Sequence, residues 1–162
     1  KNPGKWVGYS ENQWGLTACD GPFNKSLKIN GVERQFFDYR ARGAASTQIV
    51  DDGTIAPTAS GGSFPFTPRE SEKCLEYMWN THYANLIGEF GFKDAFNLTY
   101  KDKNHPKAWF DVDYLGIDQG PILLMIQNHE SELIWKVMKK NPYIIAGLKK
   151  AGFSGGWLND ER

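Results

Sequence analysis

Net charge is missing from this chain. Nineteen Lys and Arg balance nineteen Asp and Glu across 162 residues, which removes the electrostatic reason to expect nucleic acid or an anionic membrane as a partner. No stretch approaches the ~20 consecutive apolar residues that cross a bilayer, so no membrane span is expected. Cysteine is scarce: Cys19 and Cys74 cannot build a disulfide scaffold or a four-cysteine metal site, although a single bridge between them stays open. Cys74 lies within an apolar helical pattern and is expected to be buried. The histidines His82, His105 and His129 show no metal-ligand spacing, so neither metal nor cofactor is expected. The chain opens Lys1-Asn2-Pro3, without an initiator Met or an apolar leader, and reads as a processed product or a fragment.

Rings are abundant instead: 6 Trp, 7 Tyr and 10 Phe stand beside 17 Gly and 8 Pro. That mixture suits ordered, ring-bearing loops of the kind that build sugar sites, because a flat ring packs on the C–H face of a pyranose. The same rings would also serve a well-filled core.

Residues 1–66 read as loop-rich with weak helical periodicity, apart from a candidate helical turn or two from Asn12 to Cys19, which Asn12 could cap. Asn30-Gly31, between Ile29 and Val32, signals a hairpin with short strands. Asp51 to Phe66 reads as an ordered loop, with a short helix from Pro57. The clearest helix begins at Thr67-Pro68-Arg69-Glu70, where Thr67 and Glu70 form a capping box and Pro68 takes the first helical position. Cys74, Leu75, Met78, Trp79, Tyr83 and Leu86 follow as an apolar stripe, which makes the Trp79 ring a core candidate. Glu89 to Asn97 should be a packed loop. A second helix is expected after Asp118. Its run Ile122 to Ile126 is apolar nearly all round, which implies burial. Asn128 to Ser131 interrupts it, and Leu133 to Lys140 continues it with Trp135 as a further core candidate. Asn141-Pro142 opens a last helix closed by Gly152. The sum is a single domain over 1–162, all-α with long functional loops. Nothing indicates a doubly wound sheet.

Five segments resemble the glucoamylase-like (glycoamylase) family of bacterial proteins, which includes endo-β-1,2-glucanases. They are Gln13 to Pro22, Asp52 to Ala59, Gly91 to Asn97, Tyr114 to Ile122 and Trp135 to Pro142, in the same order and at similar spacing over most of the chain. The resemblance implies an (α/α)6 barrel of which this chain is the C-terminal part, a glycoside hydrolase acting on β-linked glucan, and an oligo- or polysaccharide partner. It also implies a periplasmic or secreted location. Such enzymes generally use two carboxylates, one protonating the leaving oxygen and one activating water. The motifs here supply one convincing member, so the general acid is expected outside this chain.

Asp118 is the candidate catalytic base. It precedes a helix whose amides and dipole favour an anion, which would hold its pKa low; the same position also suits a plain N-cap. Asp20 could accept sugar hydroxyls or make the turn before Gly21-Pro22. Trp14 could stack on a sugar or fill the core. Asp52 and Asp94 are candidate substrate ligands, with a turn at Asp52-Gly53 and loop bracing by Asp94 and Asn97 as the competing roles. Tyr39, Arg40 and Arg42 lie in a loop that approaches the glycan in relatives, although surface salt bridges would also account for them. Gln119 joins the substrate-binding set through the resemblance, and Glu11 is a further carboxylate. A non-catalytic helical carbohydrate-binding or structural module is the alternative to an enzyme.

Overall fold

The computed structural model describes residues 5–44 and 49–159; the Lys1-Asn2-Pro3 start lies outside them. Nine short strands and five α-helices occur among the described residues, so the all-α expectation is corrected to a mixed fold. Seven of the strands are two residues long, too short to leave an alternating apolar signature in the sequence.

In the first third, β1 (Ala18–Cys19) pairs antiparallel with β4 (Arg40–Ala41), and the hairpin of β2 (Lys25–Ile29) and β3 (Val32–Phe36) lies between them in the chain. Asn30 and Gly31 turn the hairpin at φ 50° and 80°, the left-handed pair whose twist matches the flanking strands. The candidate helical turns from Asn12 to Cys19 do not form a helix. Their backbone groups are claimed from elsewhere: the Cys74 thiol, 3.3 Å away, accepts from the Trp14 N–H and donates to its carbonyl, and Gly15 O accepts from Ala56 N at 3.1 Å. Distant partners outbid a local helix because they satisfy the same donors and acceptors while also closing the core.

The centre is a three-stranded antiparallel sheet in the order β5 (Thr54–Ile55), β8 (Phe96–Asn97), β9 (Trp109–Phe110). Successive residues of these strands face opposite sides. Ile55 and Phe96 join Cys74, Met78 and Leu86 in one buried cluster, while Ala56, Ala95 and Trp109 join Trp6, Phe36 and Tyr100 in another. Both cysteines are buried and free. Helix α2 (Pro68–Leu86) covers the first cluster, and the hairpin of β6 (Ile87–Gly88) and β7 (Gly91–Phe92) follows it. Thr67 does not cap α2 through its side chain; its hydroxyl meets Ser63 O and Ser71 Oγ instead. Trp79 and Tyr83 fall on the exposed flank of the stripe, so Trp79 is not a core ring, and Trp135 is half-buried.

Helix α1 (Pro57–Gly62) starts directly after β5 and lies against α3 (Gly116–Ser131). The contact needs glycine at 61, because a Cβ there would sit 2.6 Å from Ile122 Cγ1. Ile122 is buried in that contact, but Leu123 and Leu124 on the next positions are 68% and 47% exposed. The all-round burial expected for this run is therefore only partly realised within the chain. Helix α3 runs unbroken through Asn128 to Ser131, and the break comes at Glu132, where φ is 53°. Helices α4 (Leu133–Met138) and α5 (Pro142–Lys150) follow. The Asn141 side chain caps α5 by accepting from Tyr143 N and Ile144 N.

Arg42 and Asp52 fix the first third to the sheet. Their side chains are both 0% exposed, and the guanidinium donates from Nε to Asp52 Oδ1 at 2.9 Å and from Nη2 to Oδ2 at 3.0 Å. Arg42 also donates to the carbonyls of Cys19, Phe37 and Asp38, and Asp52 accepts from the amides of Phe37 and Thr54. Removing one partner of such a pair strands the other charge in the interior, at a cost of about 3–5 kcal/mol. Arg42→Ala in the intact protein should therefore lower unfolding free energy by about that amount in urea titration. Tyr39→Ala, at an exposed position, should stay within about 0.5 kcal/mol of the parent.

Candidate functional site

Four chain segments converge at one end of the central sheet. Asp94 stands two residues before β8, and Asp111 directly follows β9. The ladder continues past the strand ends through Asp111 N to Ala95 O at 2.9 Å and Asp94 N to Asp113 O at 3.1 Å, which fixes both backbones. Asp20 follows β1 and donates its N–H to Asp94 Oδ2 at 2.7 Å. Asp118 is the third residue of α3, and its carbonyl accepts from Thr58 Oγ1 of α1 at 3.0 Å. Together these elements enclose a groove of about 320 Å³ lined by Cys19, Tyr39, Thr58, Asp94, Ile117 and Asp118 among others. A wider groove of about 470 Å³ adjoins it, with Thr17 and Ala59 in both walls and Trp14, Tyr9 and Asp51 on the far side.

The carboxyls sit close enough to control one another. Asp94 is 1% exposed, and its pKa is pushed up to about 7. Burial is the main cause, and the negative charges of Asp118, Asp111 and Asp20 add to it, while the Asp20 amide pulls the other way. Asp118 is raised by burial and by the Asp20 charge, and a hydrogen bond from the Asp94 side chain opposes that rise. This corrects the expectation of a lowered pKa at the α3 N-terminus. Leu115 takes the cap position, no side chain caps the helix, and Asp118 Oδ2 is buried without a conventional donor among the described residues. Burial outweighs the helix dipole here. Asp20 and Asp111 are also raised, chiefly by burial.

Of the residues singled out in the sequence, Asp118, Asp94 and Tyr39 line the smaller groove and Trp14 lines the larger one. Asp20 meets them through its backbone. Asp52 and Arg42 are corrected: both are consumed in the interior ion pair, so neither reaches the groove. Gln119 is corrected as well, since its side-chain amide donates to Phe92 O and braces the β6–β7 hairpin. Asn97 takes the bracing role, donating to Asp52 O and Thr54 Oγ1 and accepting from Thr99 N and Tyr100 N. Glu11 is exposed at the surface. Sequence reasoning missed Thr58, Asp111 and Asp113. The one available signal was the alternation Asp111-Val112-Asp113 directly after Trp109-Phe110, which reads in hindsight as a strand running out into a polar site.

Asp20, Asp111 and Asp113 bring oxygens within 4.8 Å of one another. Acidic groups gathered this closely are common without an ion, and no metal site is assigned to them. What the groove offers is a dense array of acceptors, suited to a hydroxyl-rich ligand. Cys19 adds no nucleophile, because burial pushes its thiol up to about 12, and Cys74 is raised for the same reason. At pH 8 neither thiol of the native protein should react with Ellman's reagent, and both should after denaturation; peptide mapping of the labelled protein reads the outcome.

Residues 1–142 match the model of the glycoamylase family, described as "Putative glucoamylase". The chain belongs to that family. It is 35% identical over 150 residues to an exo-β-1,2-glucooligosaccharide sophorohydrolase (non-reducing end) from Parabacteroides distasonis, covering 93% of this chain and 18% of the relative. Among solved structures, an endo-β-1,2-glucanase from Chitinophaga pinensis, in complex with sophorotriose and glucose, superposes with a TM-score of 0.72 at 34% identity. That match covers 97% of this chain and 32% of the other. A β-1,2-glucanase from Parabacteroides distasonis gives a TM-score of 0.70 at 36% identity, over 92% of this chain and 18% of that one. The chain thus spans a third or less of the length of these relatives.

Proposed function

We propose that this chain forms the base-bearing wall of an inverting glycoside hydrolase acting on β-linked glucan, with β-1,2-glucan as the first substrate to test. The observation that carries this reading is Asp118, a buried carboxyl on the wall of a groove, held at its backbone by Thr58 and sharing that wall with Asp94. The names of the relatives supply the substrate class. Asp118 in its ionised form takes a proton from a water that attacks the anomeric carbon. A general acid on the opposite wall, roughly 6.5–9.5 Å away, protonates the leaving oxygen. That acid comes from outside this chain, within an (α/α)6 barrel of which residues 1–162 form the C-terminal portion as one domain. Trp14 stacks on a sugar in the wider groove, and Tyr39 and Asp20 bind hydroxyls near the point of cleavage. The protein works in the periplasm or outside the cell, as expected from the resemblance and from a polymeric substrate.

Asp118→Asn, made in the intact protein that carries these residues, should lower kcat on β-1,2-glucan by about 10²-fold or more with little change in KM. Undiminished turnover in the variant would remove Asp118 from the chemistry. Saccharide binding without turnover by the parent would favour the non-catalytic module.

The barrel has its own test. Ile117, Leu123 and Leu124 of α3 are exposed, and we assign them to the face that the remaining helices cover. Residues 1–162 produced alone should therefore bind a hydrophobic dye and melt without a sharp transition. A steep cooperative melt would show that these residues need no further partners.

A further inference from the structure

Asp94 Oδ1 and Asp118 Oδ2 are both buried, and neither has a conventional donor among the described residues. Two ionised carboxylates sit poorly that way, since each would keep a buried oxygen without a donor in a site already rich in negative charge. One proton resolves both deficits. Placed on Asp94, it makes a donor of one carboxyl and satisfies an acceptor on the other, two buried oxygens on the wall of the same groove. Asp94 is the member fitted to hold the proton. It is the more deeply buried of the two, 1% exposed against 7%, and its other oxygen is already tied to Asp20 N. Its backbone is fixed to the ladder through Asp113 O. Asp118 can then stay ionised on the groove side.

We infer that Asp94 is a positioning residue for the base: it shares a single proton with Asp118, and its O–H both orients the Asp118 carboxylate and keeps it ionised. This rests on Asp118 being the base. The surrounding groups favour the arrangement. From the end of β1 come the Asp20 carboxyl and the buried Cys19 thiol; from beyond β9 come Asp111 and Asp113; from α1 comes only the neutral Thr58 hydroxyl. Arg42 stands behind Cys19 and is neutralised by Asp52. No cation among the described residues reaches the pair, so a proton is what holds it together. The pKa directions agree: Asp94 lies far above the ordinary carboxylate range, and the Asp94 hydrogen bond checks the rise of Asp118. Such a pair titrates in two steps that belong to both residues.

The sign of the pH effect follows. Asp118 works as a base only when ionised, so its protonation sets the acid limb of kcat/KM. Asp94→Ala removes the donor and leaves a buried carboxylate without a partner. The acid limb should then move up by about one pH unit or more. Asp94→Asn keeps an N–H donor for Asp118 and an oxygen for Asp20 N, and should hold the acid limb within about 0.3 unit of the parent. KM should stay nearly constant in both. Carboxyl 13C NMR of the intact parent provides an independent reading, since Asp94 and Asp118 should each show the same two steps, one of them near neutrality. An acid limb unmoved in Asp94→Ala, an Asn variant that shifts as far as Ala, or two independent single-step titrations would each overturn the shared proton. Loss of turnover in Asp118→Asn alongside any of those results would leave Asp118 as the base and remove only the role of Asp94. Full turnover in Asp118→Asn would instead remove the reading on which the inference rests.

Discussion

The Arg42–Asp52 ion pair is the constraint on which the groove depends. Two charges with fully buried side chains are tolerable only when every polar atom has a partner, and the fork geometry of Arg42 is what allows it. The guanidinium gathers the carbonyls of Cys19, Phe37 and Asp38 while binding Asp52 through both oxygens. It thereby fixes the end of β1 against the start of β5. The next residue after Cys19 is Asp20, whose N–H holds Asp94. Asp94 in turn meets Asp118. A residue that never touches the groove thus bears on the position of the carboxyls that line it, through the Cys19 carbonyl, the peptide bond to Asp20 and the Asp20 amide.

A second constraint comes from the short sheet. Strands of two residues bury little area by themselves, but β5, β8 and β9 carry Ile55, Phe96 and Trp109 into clusters on both faces. Asp52, Asp94 and Asp111 stand within two residues of the ends of β5, β8 and β9. Helix α1 leaves the end of β5 and meets α3 at Gly61, so the same sheet also determines where Asp118 lies. Precision at the carboxyls therefore comes from strands and one close helix contact, although Asp20, Asp94 and Asp111 sit in loops.

Elements whose stability is local were legible in the sequence. The Asn30-Gly31 hairpin, the helix from Pro57, the start of α2 at Pro68 and the Asn141 cap of α5 all depend on side chains adjacent to the backbone they organise. The misreadings share the opposite property. The segment from Asn12 to Cys19 carries helix signals but gives its backbone to Cys74 and Ala56. Arg42 and Asp52 have the residue types of a glycan site, yet each satisfies the other inside the protein. Trp79 follows the helical stripe and still lies on the exposed flank. For the first of these the deciding partners lie far away in sequence, and for the others the burial that settles the role is not encoded in any local pattern. Asp118 and Asp94 were named individually, but nothing in their spacing of 24 positions announced that they touch.

That contact bears on a conflict built into any carboxylate base in a sheltered groove. Excluding water strengthens the interactions that stabilise developing charge, but it also favours the neutral acid, which cannot accept a proton. A helix N-terminus is one remedy, but in α3 the amides of Asp118 and Gln119 both turn back to Leu115 O. A nearby cation is another, yet Arg42 is spent on Asp52. A neutral carboxylic acid as hydrogen-bond donor is the remaining option. It adds no positive charge that would compete for the substrate's hydroxyl acceptors, and it leaves the net charge of the pair at one. Its cost is that the donor must stay buried to keep its proton. The amide of Asp20 and the ladder beyond β8 hold Asp94 there, which makes the most buried aspartate of the groove the one fitted to keep a proton.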